Sequence, residues 1–293
     1  MREIQRKSEL TMNPPAFPNS SLDQFAKAYP DSILELKHEL LDHPLMELDS
    51  LVGLSARLPE SVIEHNLGDL PFGIGQHDVP AHTLTIDETI RSIETNASWM
   101  VLKDIQLDPT YKALLHEVLA EIRPVVEGYT GKMLNLVGFI FVSSPGAITP
   151  FHSDPEYNIL MQTRGKKTMT LFSGHDEEVL PPAFHEIYHH GGPRTVKWDD
   201  AYAPKGTSVT LCPGDAVYVP LKWPHYVQNG PEVSISLSVT WRSEWSYEEA
   251  DARAFNGLAR KLGVKPSAPR LLPKHNLVKA TAWRAMRKLG IRA

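Results

Sequence analysis

The 293-residue sequence predicts a mainly β protein with helical flanks, and three stretches carry that prediction. Residues 232–242, EVSISLSVTWR, alternate Val233, Ile235, Leu237, Val239 and Trp241 with Ser234, Ser236, Ser238, Thr240 and Arg242, the period of a strand with two unlike faces. The row of small hydroxyls fits either a cavity wall or a solvent face. Residues 148–172, ITPFHSDPEYNILMQTRGKKTMTLF, hold two β-prone runs around Arg164-Gly165, a hairpin signal. Residues 212–227, CPGDAVYVPLKWPHYV, give a turn at 213–215, a short strand and a histidine after a tight Pro-rich bend. The length suits one large domain or one domain with helical extensions.

Taken in order, residues 1–20 mix charges with MNPPAFPNSS and read as a flexible arm. Ser20 or Ser21 is placed to cap a helix over 21–29. Residues 32–41 form a short strand or helix, and 59–61 open a short helix before a Gly- and Pro-punctuated loop over 66–82. Thr85-Ile86-Asp87, with Glu88 in the first turn, starts a capped helix ending near Asn96. SWMVLKDI at 98–105 is too continuously apolar for a surface element and reads as a strand. Asp108-Pro109 opens a helix whose Tyr111, Leu114, Leu115, Val118, Leu119 and Ile122 recur at helical spacing, a stripe for core packing. LNLVGFIFVSS at 134–144 is a buried strand, and Pro150 predicts a bulge or bend in the next one.

The insertion at 173–206 contains His175, His185, His189 and His190. His185 and His189, at i and i+4, could bind a second metal on a helix. The Gly-Gly-Pro that follows argues instead for an exposed loop, suited to the mouth of a site. A helix over 247–262 with Ser246 as cap and a second over 277–289 complete the chain. The parts are thus an arm (1–20), an N-terminal α/β extension (21–133), a β core (134–245) and a basic helical segment (246–293).

Charge is uneven along the chain. From position 252 onward there are eleven Lys and Arg and no Asp or Glu, which leaves nineteen basic against thirty-five acidic residues in the rest. Such a tail suits nucleic acid or docking on an acidic body, its own or a partner's. Leu271, Leu272, Leu277, Val278, Trp283 and Met286 offer apolar anchors and favour docking. The single Cys212 excludes an internal disulfide framework. No apolar run reaches membrane-spanning length and MREIQRKSEL lacks the apolar core of a signal peptide, so a cytoplasmic location without membrane contact is expected.

The chemistry concentrates in His152, Asp154 and His225. Residues i and i+2 of a strand share a face, so His152 and Asp154 can hold one metal together, with His225 arriving from another strand. Two imidazoles and a carboxylate are the facial triad of iron(II) sites, which leave coordination positions open for a co-substrate and dioxygen. With thirteen histidines an isolated HxD arises by chance, and each of these could simply be a hydrogen-bonded histidine. A hairpin about Arg164-Gly165 would set Gln162 opposite Lys167 and put Asn158, Leu160, Gln162, Lys167, Met169 and Leu171 on one face. A lysine directed inward needs an anion such as the dicarboxylate 2-oxoglutarate; a register slip by one would turn it to water.

These residues resemble the cupin-like JmjC hydroxylases, on the branch similar to the asparaginyl hydroxylase of the hypoxia pathway. The resemblance covers about 135–243. It implies a double-stranded β-helix (cupin, jelly-roll) core, iron(II) on His152, Asp154 and His225, and 2-oxoglutarate and dioxygen as co-substrates. The family's threonine, asparagine and lysine fall on Thr149, Asn158 and Lys167. Its asparagine on the last strand has no counterpart, Ser236, Ser238 or Thr240 standing there, and Ser238 is taken as the fourth co-substrate residue. C-terminal helices form the family's dimer interface, so a homodimer is implied.

The expected activity is iron(II)- and 2-oxoglutarate-dependent hydroxylation of a C–H bond, on a protein or peptide side chain or a small molecule. The alternatives are a metal-binding ligand sensor without turnover and a zinc isomerase that would recruit Glu156 as a further ligand.

Overall fold

The computed structural model describes residues 14–67 and 84–290. Eleven strands occur among them: β1 (Leu34–Lys37), β2 (Ile63–Leu67), β3 (Ser98–Leu102), β4 (Met133–Ser143), β5 (Ile148–His152), β6 (Tyr157–Arg164), β7 (Lys167–Leu171), β8 (Thr207–Leu211), β9 (Asp215–Val219), β10 (His225–Asn229) and β11 (Ser234–Ser243). They form two antiparallel sheets, ordered β1-β9-β6-β11-β4-β3-β2 and β5-β10-β7-β8. From β4 to β11 the chain passes repeatedly between the two sheets, which is the winding of a double-stranded β-helix.

The helices are α1 (Asn19–Ala28), α2 (Leu48–Ser55), α3 (Ile86–Arg91), α4 (Pro109–Thr130), α5 (Pro182–Tyr188), α6 (Glu244–Lys261) and α7 (Leu277–Lys288). Strand parity separates the two larger of three apolar clusters among the described residues. Tyr157, Ile159 and Met161 of β6 and Ile235, Leu237, Val239 and Trp241 of β11 pack outward with α1, α2 and α4. Leu160, Met169, Leu171, Val217, Val219 and Val227 fill the space between the sheets. The hydroxyl row of β11 is therefore buried and faces inward: Ser236 Oγ donates to Gln162 Oε1 at 2.7 Å and Ser238 Oγ to Asn158 Oδ1 at 2.8 Å.

The expected hairpin at Arg164-Gly165 does not form. β6 pairs with β9 and β11, whereas β7 pairs with β8 and β10, so Gly165 carries the chain from one sheet to the other. The turn signal is local, but whether a turn closes a hairpin or rounds a corner is decided by distant strands. The inward parity survives, and Lys167 is buried rather than turned to water. The irregularity expected at Pro150 lies in the β5–β10 pairing, where the register shifts between His225 and Val227.

The N-terminal expectations change in three places. Residues 14–20 are not a loose arm: Phe17 is buried, and the Ala16 and Phe17 N–H groups donate to Glu121 at 2.6 and 3.0 Å. Residues 1–13 lie outside the described residues, as does most of the 66–82 loop. α1 begins at Asn19 without a side-chain cap, because Ser21 instead bonds the Lys37 main chain in β1. Strand β2 carries no alternation that would have marked it. Thr85 and Glu88 do form a capping box, and Asp108 caps α4.

At the other end, Ser243 rather than Ser246 caps α6, with Ser246 as the reciprocal member of a capping box. The basic tail docks on its own body. Trp283 and Ala280 are buried on α7, which packs against α6, Arg284 pairs with Asp251 at 2.5 Å, and Arg260 pairs with Glu186 at 2.7 Å. Leu271, Leu277 and Val278 are not anchors; Val278 is 85% exposed. No helix among the described residues is long and apolar enough to cross a membrane.

The corner at Gly165 is a sensitive point. Its φ of 67° lies in the left-handed region, and a Cβ there would stand 2.3 Å from the Val233 carbonyl oxygen. Gly165→Ala should therefore destabilise the protein by at least about 2 kcal/mol, read as a lowered urea midpoint.

Candidate metal and anion site

His152 closes β5 and His225 opens β10; the two are cross-strand partners, which brings their rings to 4.3 Å between centroids. Asp154 follows in the turn between β5 and β6. Its Oδ2 lies 3.5 Å from His152 Nε2 and 3.9 Å from His225 Nε2. Ligands about 2.1 Å from one ion and at right angles stand about 3 Å apart, so the carboxylate lies within about 1 Å of the separation it needs from each imidazole.

The tautomers suit a metal. His152 Nδ1–H donates to the Pro150 carbonyl at 2.7 Å and His225 Nδ1–H to the Trp223 carbonyl at 2.9 Å, which leaves both Nε2 lone pairs toward Asp154. Arg194 donates to the other oxygen, Oδ1, of Asp154 at 3.3 Å, so Oδ2 is the one offered. Two imidazole nitrogens and one carboxylate oxygen, within 4.8 Å of one another, fit a divalent iron-type ion. Glu156 is not in that group, and the further ligand that an isomerase site would need is not supplied there.

Electrostatics follow from crowding. Burial alone would raise Asp154, but His152, His225 and Arg194 outweigh it and hold the carboxylate well below its ordinary range. Burial opposes charge on His152, yet the Asp154 carboxylate keeps that imidazole above its ordinary value. Burial and the facing His152 push His225 down to about 4. Burial, then the charge of Asp154, lifts Glu156 to about 7.

The triad opens on a cavity of about 250 Å³ that also takes in Thr149, Asn158, Lys167 and Ser238. All four residues expected from the sequence to hold a co-substrate thus meet there. Lys167 is 4% exposed, and burial without an offsetting carboxylate pushes its ammonium down to about 7. Its ring neighbour is Phe141, 5.9 Å from Nζ. Ser238 fixes the Asn158 amide by donating to Oδ1, which leaves the amide N–H groups to donate toward the cavity.

Several lining residues escaped sequence reasoning. Arg194 comes from the insertion, where no local pattern distinguishes it, and Thr195 beside it bridges to His152. Trp99 and the Lys103–Glu64 pair, 2.8 Å apart, reach the cavity from β3, its following residues and β2. Outside the lining, Asn229, the cross-strand partner of Lys167, donates to the Ala147 carbonyl, and its buried Oδ1 has no partner among the described residues. The insertion contributes Arg194 and Thr195 to the cavity wall. A second metal site does not form in it: His185 and His189 lie beside Lys222, Glu249 and Arg253, and burial and those cations keep both imidazoles neutral.

Comparison with known proteins places this geometry. Over 102 residues the chain is 33% identical to lysine-specific demethylase 8 of Danio rerio, covering 33% of this chain and 25% of that protein. Over 193 residues it is 26% identical to lysine-specific demethylase JMJ30 of Arabidopsis thaliana, covering 60% of this chain and 43% of that protein. The match thus spans a quarter to under half of these relatives' length. The solved structure of YcfD from Escherichia coli shares the fold, with a TM-score of 0.51 at 20% identity over 92% of this chain and 66% of that chain. Residues 74–247, which include both ligand-bearing stretches, match the family described as a cupin-like domain, and the chain belongs to that family.

Proposed function

We propose that this protein is an iron(II)- and 2-oxoglutarate-dependent dioxygenase that hydroxylates a C–H bond, with residues 134–245 as its catalytic core. The observation that carries this reading is the pairing, in one cavity, of a facial two-histidine, one-carboxylate set with a buried lysine that has no counter-charge among the described residues. When bound, iron(II) with 2-oxoglutarate and dioxygen supplies the oxidising power. One oxygen atom enters the substrate as hydroxyl and the other leaves in succinate, with release of carbon dioxide.

The chain's own residues bind, orient and shield. His152 Nε2, His225 Nε2 and Asp154 Oδ2 would hold the metal from one side, with Arg194 fixing which Asp154 oxygen is offered. Lys167 and Thr149 would take the far carboxylate of the co-substrate. Asn158, oriented by Ser238, would donate to an oxygen in the cavity. Phe139, Phe141, Leu160, Met169 and Val227 give the cavity an apolar lining that limits water. A protein or peptide side chain is the favoured prime substrate, because matched relatives are named as lysine demethylases. A cytoplasmic location is part of the same proposal, supported by a single cysteine that fits a reducing compartment.

His152→Ala, Asp154→Ala and His225→Ala should each abolish succinate formation and metal binding; full turnover in any one of them would remove the triad assignment. Lys167→Met should raise the 2-oxoglutarate dissociation constant more than about tenfold with metal affinity retained, the loss of a charge-assisted contact being about 1.5–3 kcal/mol. Lys167 must be protonated to hold a carboxylate, and burial alone brings it down to about 7. Dicarboxylate binding should therefore take up a proton above that pH and weaken by up to about tenfold per pH unit. Calorimetry in two buffers reads the uptake, which Lys167→Met should abolish.

We also propose a homodimer through the C-terminal helices, since the exposed Leu277, Val278 and Leu289 remain for a second copy to cover. Truncation after Leu262 should give a monomer or aggregate by light scattering; a full-length protein that is monomeric throughout would defeat the dimer.

A further inference from the structure

Behind the carboxylate ligand lies a buried ionic cluster that the reaction does not use. Lys222 sits in the bend between β9 and β10 with φ of 65°, a left-handed conformation that favours glycine. Its main chain braces the ligand-bearing turn: the Lys222 N–H donates to the Asp154 carbonyl at 3.0 Å, and the Lys222 carbonyl accepts from Ser153 Oγ at 3.0 Å. His225 follows three residues later. The backbone of one residue thus connects the carboxylate ligand to the second imidazole.

The Lys222 side chain turns into the protein, where Nζ pairs with Glu249 of α6; the two residues are 5% and 4% exposed. The other Glu249 oxygen pairs with Arg253 one turn along the helix. Burial would raise Glu249, but Arg253 and Lys222 prevail and keep it a carboxylate. Without that charge, Arg253 would be left without its carboxylate, and Lys222, which burial already brings down to about 7, would lose the partner that favours its ammonium, beside the neutral imidazoles of His185 and His189.

We propose that Glu249 is a positioning residue for the metal centre: acting through Lys222, it holds the left-handed bend that sets Asp154 and His225 at binding distance. This rests on the metal-site reading above. A glycine at 222 would adopt the bend unaided, so the need for Glu249 comes from the lysine. The C-terminal helix α6 thereby becomes part of the scaffold of a site built on strands.

The test is a double-mutant cycle on the full chain, read by Co(II) titration and the d–d absorption of the bound ion. Glu249→Gln should weaken Co(II) binding by about 10–100-fold, the range for groups that orient metal ligands, and alter the spectrum. Lys222→Gly should lose less, and adding Glu249→Gln to it should cost no more than about twofold further. Circular dichroism checks folding of each variant. If Glu249→Gln alone fails to fold while the double variant folds and binds Co(II), the proposal is supported, since the damage then lies in the unmatched Lys222. Native-like binding by Glu249→Gln, an equal loss in both backgrounds, or failure of both variants to fold would overturn it. Absence of Co(II) binding by the unaltered protein would strike the metal reading itself.

Discussion

Strand parity between two layers is the constraint on which the site rests, because every second residue of β6 and β11 is committed to the helix-facing core. Tyr157, Ile159 and Met161 on one strand and Ile235, Leu237, Val239 and Trp241 on the other leave no freedom for their neighbours, which must face inward. What faces inward on β11 is small and hydroxylated, so the space between the sheets is neither closed by large side chains nor wholly apolar. Lys167 reaches this space from β7. Moving its ammonium from 10.5 to about 7 corresponds to about 5 kcal/mol while it stays charged. That cost is present below pH 7 and is relieved as pH rises above it, toward the ordinary lysine value. An anion beside the ammonium would favour its charged form and offset part of that cost.

The triad carries a related tension. Two imidazoles and a carboxylate packed together settle their protons unequally: the neighbour of Asp154 gains one more readily, and the facing ring loses its own. A divalent cation replaces this compromise with one charge that all three ligands can share. Hydrogen bonds from both Nδ1–H groups to main-chain carbonyls mean that no tautomer change is needed before such an ion enters. The anion cradle and the cation set thus lie in one cavity, each incomplete in charge alone, and a chelating dicarboxylate would serve both.

Much of this was legible in the sequence because it depends on period and spacing. The two faces of β11, the stripe of α4 and the inward direction of Lys167 follow from periods of two and 3.6, whereas the expectation that His152 and Asp154 share one strand face is corrected: β5 ends at His152 and Asp154 meets it from the following turn. The pairing of β6 and β7 was not legible: a Gly at φ 67° serves a hairpin and a corner alike, and only the distant β9 and β10 decide between them. The capping of α6 was read three residues late because both members of its capping box are serines. Arg194 and Glu249 were out of reach for a different reason. Each meets the site through tertiary contact from a segment with no periodic relation to β5, and charge type alone does not select one Arg or Glu among many.

Those two residues show how a site at the end of a β-barrel is made rigid. The turn carrying Asp154 lies outside the ladder, so the strands position His152 and His225 directly but Asp154 only through its neighbours. Arg194 fixes the carboxylate from the insertion side, and the Lys222 main chain fixes the backbone from the bend before β10. The first contact is half-exposed, and the second is enclosed and tied to α6. The carboxylate ligand is thus held from both sides, by a side chain in front and by main chain behind. That division of labour explains why the helix after the last strand packs its buried charges against this bend, where an apolar contact would have filled the space but left the left-handed lysine unheld.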